Sequence, residues 1–406
     1  MRKTFLLATF LIVTTSVVAQ PGSRRSTAKS PTGAAYTLSD GSTVNKNKES
    51  ISTAASDYNV VQVTNGTLNL KNCTIKKTGD SSSRSGDDTS FYGTNSAVYS
   101  SGNNAVINMK GGSITTASQG SNAVFATNGA TINVSDVTID NSQNVSRGLH
   151  ATFGGIINAS NMNITTRRPT SSTVATDRGG GTVTVTGGTL TALGEKSAVL
   201  YSTGTITANN LTGLSEQGPI ATVEGANHVY INDCSMTSHS LKRGILLHQS
   251  HSGDAEGTKP VCTITNSKLT TTDSHAPLCF VTNVAATLTL TDVTLDVASG
   301  RLMSVEYEKR GNGSMGHLVL QTTKSSWTYS GSVDADEVNN AAVTVGKNVT
   351  WNGAIDSDHN AISTKVTIEK GSVWNLTADS YVSSLENNGR INKNGYTLTV
   401  GSQSGE

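Results

Sequence analysis

Charge and aromatic rings are scarce in this chain: 15% of its 406 residues are charged, 5% are aromatic, and the formal net charge is +1. A near-neutral surface has no net attraction for nucleic acid or for an anionic membrane. No segment after residue 19 is apolar enough to cross a bilayer, so no membrane span is expected. The four cysteines, Cys73, Cys234, Cys262 and Cys279, form no CxxC pair, which argues against a zinc site. Phosphate-cradling, GxSxG and HExxH motifs are missing too, and no cofactor or metal is expected.

What the chain has instead is glycine (40 residues), with threonine, serine, asparagine and valine. Threonine and valine suit a pleated surface, while asparagine and glycine suit turns. Apolar residues recur too regularly for a disordered chain. Residues 1–19 read MRKTFLLATFLIVTTSVVA. A positive start, a short apolar run and a small final residue describe a secretory signal, with cleavage expected before Gln20. The cleavage site has no cysteine, so no lipid anchor is expected there. Loss of Arg2 and Lys3 takes the formal charge to −1.

One octet keeps returning. LNLKNCTI (68–75), INMKGGSI (107–114), INVSDVTI (132–139), INASNMNI (157–164), VTVTGGTL (183–190), ITANNLTG (206–213), VYINDCSM (229–236), CTITNSKL (262–269) and LTLTDVTL (288–295) share one form. It is apolar–x–apolar–x–turn–x–x–apolar. The turn residues are Asn72, Gly111, Asp136, Asn161, Gly187, Asn210, Asp233, Asn266 and Asp292, spaced 39, 25, 25, 26, 23, 23, 33 and 26 residues apart. A period in the twenties marks a solenoid. Apolar residues two apart mark a strand with one buried face. Asn, Asp and Gly tolerate a left-handed backbone, which bends the strand without making a loop. The octet therefore reads as the corner of one rung of an all-β, right-handed parallel β-helix of about 10–13 rungs of ~23–26 residues.

A second strand precedes each corner, as in SAVYSSG (96–102), NAVFATNG (122–129), RGLHATFG (147–154) and SAVLYSTG (197–204). One column is apolar: Val98, Val124, Leu149, Ala175, Leu200, Ala221 and Cys279. Its neighbour is mixed: Tyr99, Phe125, His150, Thr176, Tyr201, Thr222 and Phe280. Alternation sends the first column inward and the second outward. Tyr99, Phe125, His150 and Tyr201 then form an outer ladder, a candidate glycan-binding surface, because aromatic faces stack on sugar rings. The two long steps hold polar insertions at 79–93 and 248–260, read as excursions from single rungs. Cys73 and Cys234 fall on an inward column six rungs apart, too far to bridge. All four thiols read as small core residues.

After residue 300 the pattern becomes alternating apolar residues, a turn, then Trp327, Trp351 or Trp374, read as a stacked core that caps the open end. The expected segments are a leader (1–19), an N-terminal segment and cap (20–55), regular rungs (56–300) and irregular rungs with a cap (301–406). The stretch VTIEKGSVWNLTADSYVSSLENNGRINKNGYTLTV (366–400), and more loosely the rungs from 96 to 300, resemble the passenger domains of pertactin-like bacterial autotransporters. ILLHQSHSGDAEGTKP and CFVTN resemble secreted, adhesin-like bacterial β-helix proteins. The resemblance implies a right-handed parallel β-helix and an adhesive role. An autotransporter continues into an outer-membrane barrel, whereas this sequence ends at Glu406, which implies free secretion or retention by a partner.

Parallel β-helices also host polysaccharide lyases and hydrolases, which need converging carboxylates. Asp136, Asp233 and Asp292 read as turn formers in non-adjacent rungs. Asp87-Asp88 and Asp334/Asp336/Glu337 read as solvated loop clusters. Arg147, Arg243 and Arg301 each open a strand and read as surface charge. His248 and His251 read as a solvated pair. The expected function is a secreted or cell-surface, adhesin-like protein that contacts a glycan or host surface. The alternatives are a lyase or hydrolase, and a matrix component that self-associates through the solenoid ends.

Overall fold

The structure, a computed structural model, describes residues 31–82, 86–250, 255, 257–308 and 313–401. The signal segment 1–19 lies outside the described residues. Strand pairing is parallel throughout the described residues, and the strands stack as a β-solenoid of about 13 turns. A single short helix, α1 (Asp87–Tyr92), interrupts them. One wall is a twelve-stranded sheet, and a larger sheet of twenty strands carries the corners.

The corners are the turn residues of the octets. All nine have positive φ, between 47° and 73°. Gly188, one residue past the corner, has φ 102°, and a Cβ there would lie 2.0 Å from the Met162 carbonyl oxygen of the turn below. Only glycine fits that combination.

Inside, like residues stack on like. Leu68, Ile107, Ile132, Ile157, Val183 and Ile206 occupy one column, in register and fully buried. Each such side chain removed from water contributes roughly 1.5–3 kcal/mol. All four cysteines are free thiols and buried. Burial pushes Cys262 up to about 12, so it stays a thiol and acts as a small apolar residue.

Three sequence expectations shift in the structure. Strands Ala34–Leu38, Thr43–Asn47 and Ser50–Thr53 already pair with the next turn, so the described part of the stretch read as an N-terminal segment and cap (20–55) carries a turn of the solenoid. Leu149 pairs with Val174 and His150 with Ala175, so Ala175 faces outward and Thr176 inward, one residue from the aligned positions. Trp351 and Trp374 stack with centroids 5.0 Å apart and planes at 12°. Trp327 does not join them: it pairs with Val349, while Tyr329 sits opposite Trp351 and takes the inward place. Trp327 is half-buried on the same face as Tyr329, packed against the edge of the core, its indole N–H donated to the Val293 carbonyl at 3.1 Å.

Candidate functional site

Two outer surfaces carry chemistry. The first is the outer face of the twelve-stranded sheet, where the aromatic column was expected. Tyr99, Phe125 and His150 do stack in adjacent turns and point away from the apolar core. The Tyr99 and Phe125 rings lie 5.7 Å apart and nearly parallel, and His150 meets Phe125 edge-on at 5.2 Å. Yet Tyr99 is 6% exposed, and Phe125 and His150 are fully buried. The cover is the described part of the 79–93 insertion, residues 86–93 above all. Its helix α1 ends at Gly93, where a Cβ would lie 2.3 Å from the Phe125 ring. Tyr92 stacks on Phe153. The insertion is therefore a strap laid over the ladder, not a free excursion. Tyr201, further along, keeps partial exposure.

Charged groups are buried under and beside the strap. The Arg147 guanidinium donates to Ser90 Oγ at 2.5 Å, lies 3.7 Å from the Asp177 carboxylate and sits over the Phe91 ring. Arg178 lies over the same ring at 4.4 Å. Asn122 donates to the Ser90 carbonyl and accepts from its hydroxyl, fixing α1 to the wall. Two turns beyond Asp177, Glu224 is 1% exposed and accepts a 2.5 Å hydrogen bond from the Tyr201 hydroxyl. Burial, then Glu224 and Asp177, hold the Tyr201 proton well above the usual phenol range. Burial and the adjacent Arg147 keep His150 neutral. Sequence reading missed this cluster because Asp177 and Glu224 lie far apart in the chain. Only the register of three successive strands brings them to Tyr201.

The arginines read as surface charge are tied down instead: Arg147 is buried in the network above, Arg243 is largely buried and pairs with Glu308 at 3.0 Å, and Arg301 donates to the His275 carbonyl. His251 lies outside the described residues. Among the described residues no cluster of histidine, cysteine and carboxylates has a metal-binding arrangement.

The second surface is open. Two open hollows flank the corner of the twenty-stranded sheet, one on the strand leading into it and one at the corner and just beyond. One, about 490 Å³, is lined by Asn69, Asn108, Asn133 and Asn158 with Lys71 and Lys110. The other, about 510 Å³, is lined by Asn210, Asp233, Asn266, Lys268, Lys324 and Trp327. They share no lining residue: on strand Gly181–Ala192, Thr186 before the corner lines the first and Gly188 after it lines the second. In the first hollow the asparagines form a ladder. Asn69 donates to Asn45, Asn108 to Asn69, Asn133 to Asn108 and Asn158 to Asn133, at 2.8–2.9 Å. Each inner amide spends one N–H and one lone pair on its neighbours and retains one of each. In the second hollow Asp292 is a corner residue turned to structural use. Burial alone would raise its carboxyl, but hydrogen bonds from Thr322 and Thr323 and the charge of Lys324 hold it below the usual range.

No protein-family model matches the chain, and no curated protein or solved structure matches it. A parallel β-helix of this kind is compatible with adhesive and with lyase-type proteins alike.

Proposed function

We propose that the protein is a secreted or surface-displayed, adhesin-like binding protein that holds a glycan in the amide-ladder hollow beside its corner. The observation that carries this is the in-register amide ladder. Its spare donors and acceptors repeat once per turn, which suits the hydroxyls of a sugar chain, each both donor and acceptor. Trp327, with Lys324 over its ring, supports the reading by placing an aromatic group in the neighbouring hollow. The leader-like residues 1–19 and the passenger-like stretch 366–400 support an extracellular setting. The aromatic ladder does not serve as the contact surface in this reading, because the strap covers Tyr99, Phe125 and His150 and leaves only Tyr201 partly open.

A broad glycan array probed with the chain from Gln20 tests it. Specific spots should appear and should fade in Asn108→Ala, with at most a small drop in melting temperature from the two ladder hydrogen bonds lost. A blank array defeats the reading. The same glycans are assayed for new reducing or unsaturated ends. Cleavage that Glu224→Gln abolishes would replace binding by catalysis at the Asp177–Tyr201–Glu224 cluster.

A further inference from the structure

The amide-ladder hollow also carries a charge pattern and a length, and both bear on the ligand class. Lys71 and Lys110 are directly paired on neighbouring strands, both exposed, at the edge of the amide ladder. Like charges placed opposite each other destabilise a sheet. Among the described residues neither lysine has a carboxylate partner. In the other hollow, Lys268 and Lys324 face Asp233 and Asp292, and the carboxylate of Asp292 is occupied by Thr322 and Thr323. The lining of the amide-ladder hollow, by contrast, holds two lysines and no carboxylate, in a chain whose formal charge overall is only +1. An anionic ligand would relieve the Lys71–Lys110 repulsion.

Length fixes the rest. The residues lining the amide-ladder hollow come from five successive turns, from Asn69–Lys71 to Thr184 and Thr186. Four steps of the spacing between parallel strands make roughly 19 Å. A small sugar would leave most of this unused. The step between turns is close to the length that one pyranose adds to an extended chain.

We propose that the ligand is an extended anionic polysaccharide, bearing uronate or sulfate groups, that lies along this hollow parallel to the solenoid axis, with roughly one sugar per turn. This rests on the reading of the hollow as a glycan site. The acidic groups meet Lys71 and Lys110, and the hydroxyls bridge successive asparagine amides.

Calorimetry on the full chain tests it with oligogalacturonides from dimer to decamer, the same oligomers fully methyl-esterified, heparin fragments of matched length, and oligothymidylate. Affinity for at least one acidic series should rise with length up to roughly the pentamer, one sugar per turn of the hollow, and weaken with salt. The double variant Lys71→Gln, Lys110→Gln should lose about tenfold in affinity, equivalent to about 1.4 kcal/mol, while its melting curve stays in place. A preference for galacturonide or for heparin names the acidic group as carboxylate or sulfate, and either supports the proposal. Equal affinity for the methyl esters overturns the anionic class and leaves the glycan reading standing. A plateau at the trimer overturns the lengthwise placement. Equal binding of oligothymidylate shows a non-selective polyanion surface and overturns the proposal. No binding of any sugar, charged or neutral, removes the glycan reading itself.

Discussion

At the scale of single residues, Lys77 shows what an inward position demands. It is the last residue of strand Gly66–Lys77 and is fully buried. Its ammonium donates to the carbonyls of Ala55 at 2.8 Å and Gly79 at 2.5 Å, capping the root of the strap. Burial lowers its pKa to about 8, only partly opposed by Asp80 and Asp57. A folded-state value below the unfolded one means that the unfolded chain binds more protons between about pH 8 and pH 10.4. Stability should therefore rise with pH across that window and be lost as pH falls through it. Melting temperatures of the wild type and Lys77→Met, compared from pH 7.5 to 10, check this. The difference should move in favour of the wild type as pH rises, and parallel curves would refute the assignment. The corners belong to the same scale, and they were readable in the sequence. A left-handed residue leaves few choices, so Asn, Asp and Gly at a steady spacing announced all nine. Lys77 was not readable, because a lysine in a polar loop region looks solvated until the turn that covers it is known.

At the scale of elements, the strap decides which surface is available. Strands Val124–Thr127, Leu149–Thr152 and Val174–Asp177 are buried on both faces, so the in–out alternation that locates a strand in sequence is erased there. That erasure is why the Val174 turn slips by one residue in a sequence alignment. It also explains why an outward column was mistaken for an exposed one: direction is set by the strand's own period, but exposure depends on a segment inserted elsewhere in the chain. Arg147 holds that segment through Ser90, Phe91 and Asp177. Arg147→Ala should cost about 2–4 kcal/mol, since it strands buried polar partners, and should free the insertion. Limited proteolysis would show cleavage within 79–93 long before the rest of the chain. An unchanged digestion pattern would mean that the Asn122–Ser90 hydrogen bonds and the aromatic contacts hold α1 without Arg147.

At the scale of the whole molecule, each turn touches mainly its two neighbours, so stability is a chain of local terms and not one global quantity. The register of the octets fixed this architecture in advance, since only stacked turns bury a column that repeats every twenty-odd residues. The hollows beside the corner follow from the same stacking, because they exist only where many corners align, and no single octet reveals them. The C-terminal end tests the one-dimensional view. Trp374 is fully buried, stacked on Trp351, and donates its indole N–H to the Gly353 carbonyl at 2.9 Å. Trp374→Ala should cost about 3–5 kcal/mol. In a nearest-neighbour solenoid that cost stays local. Amide exchange should accelerate in strands Val349–Gly353, Ser363–Ile368 and Ser380–Val382, while Val98–Ser101 and Val124–Thr127, many turns away, keep their protection. A uniform loss of protection along the rod would show that the turns unfold together. The amide-ladder hollow would then behave as one rigid unit, and not as a row of sites that can loosen one turn at a time.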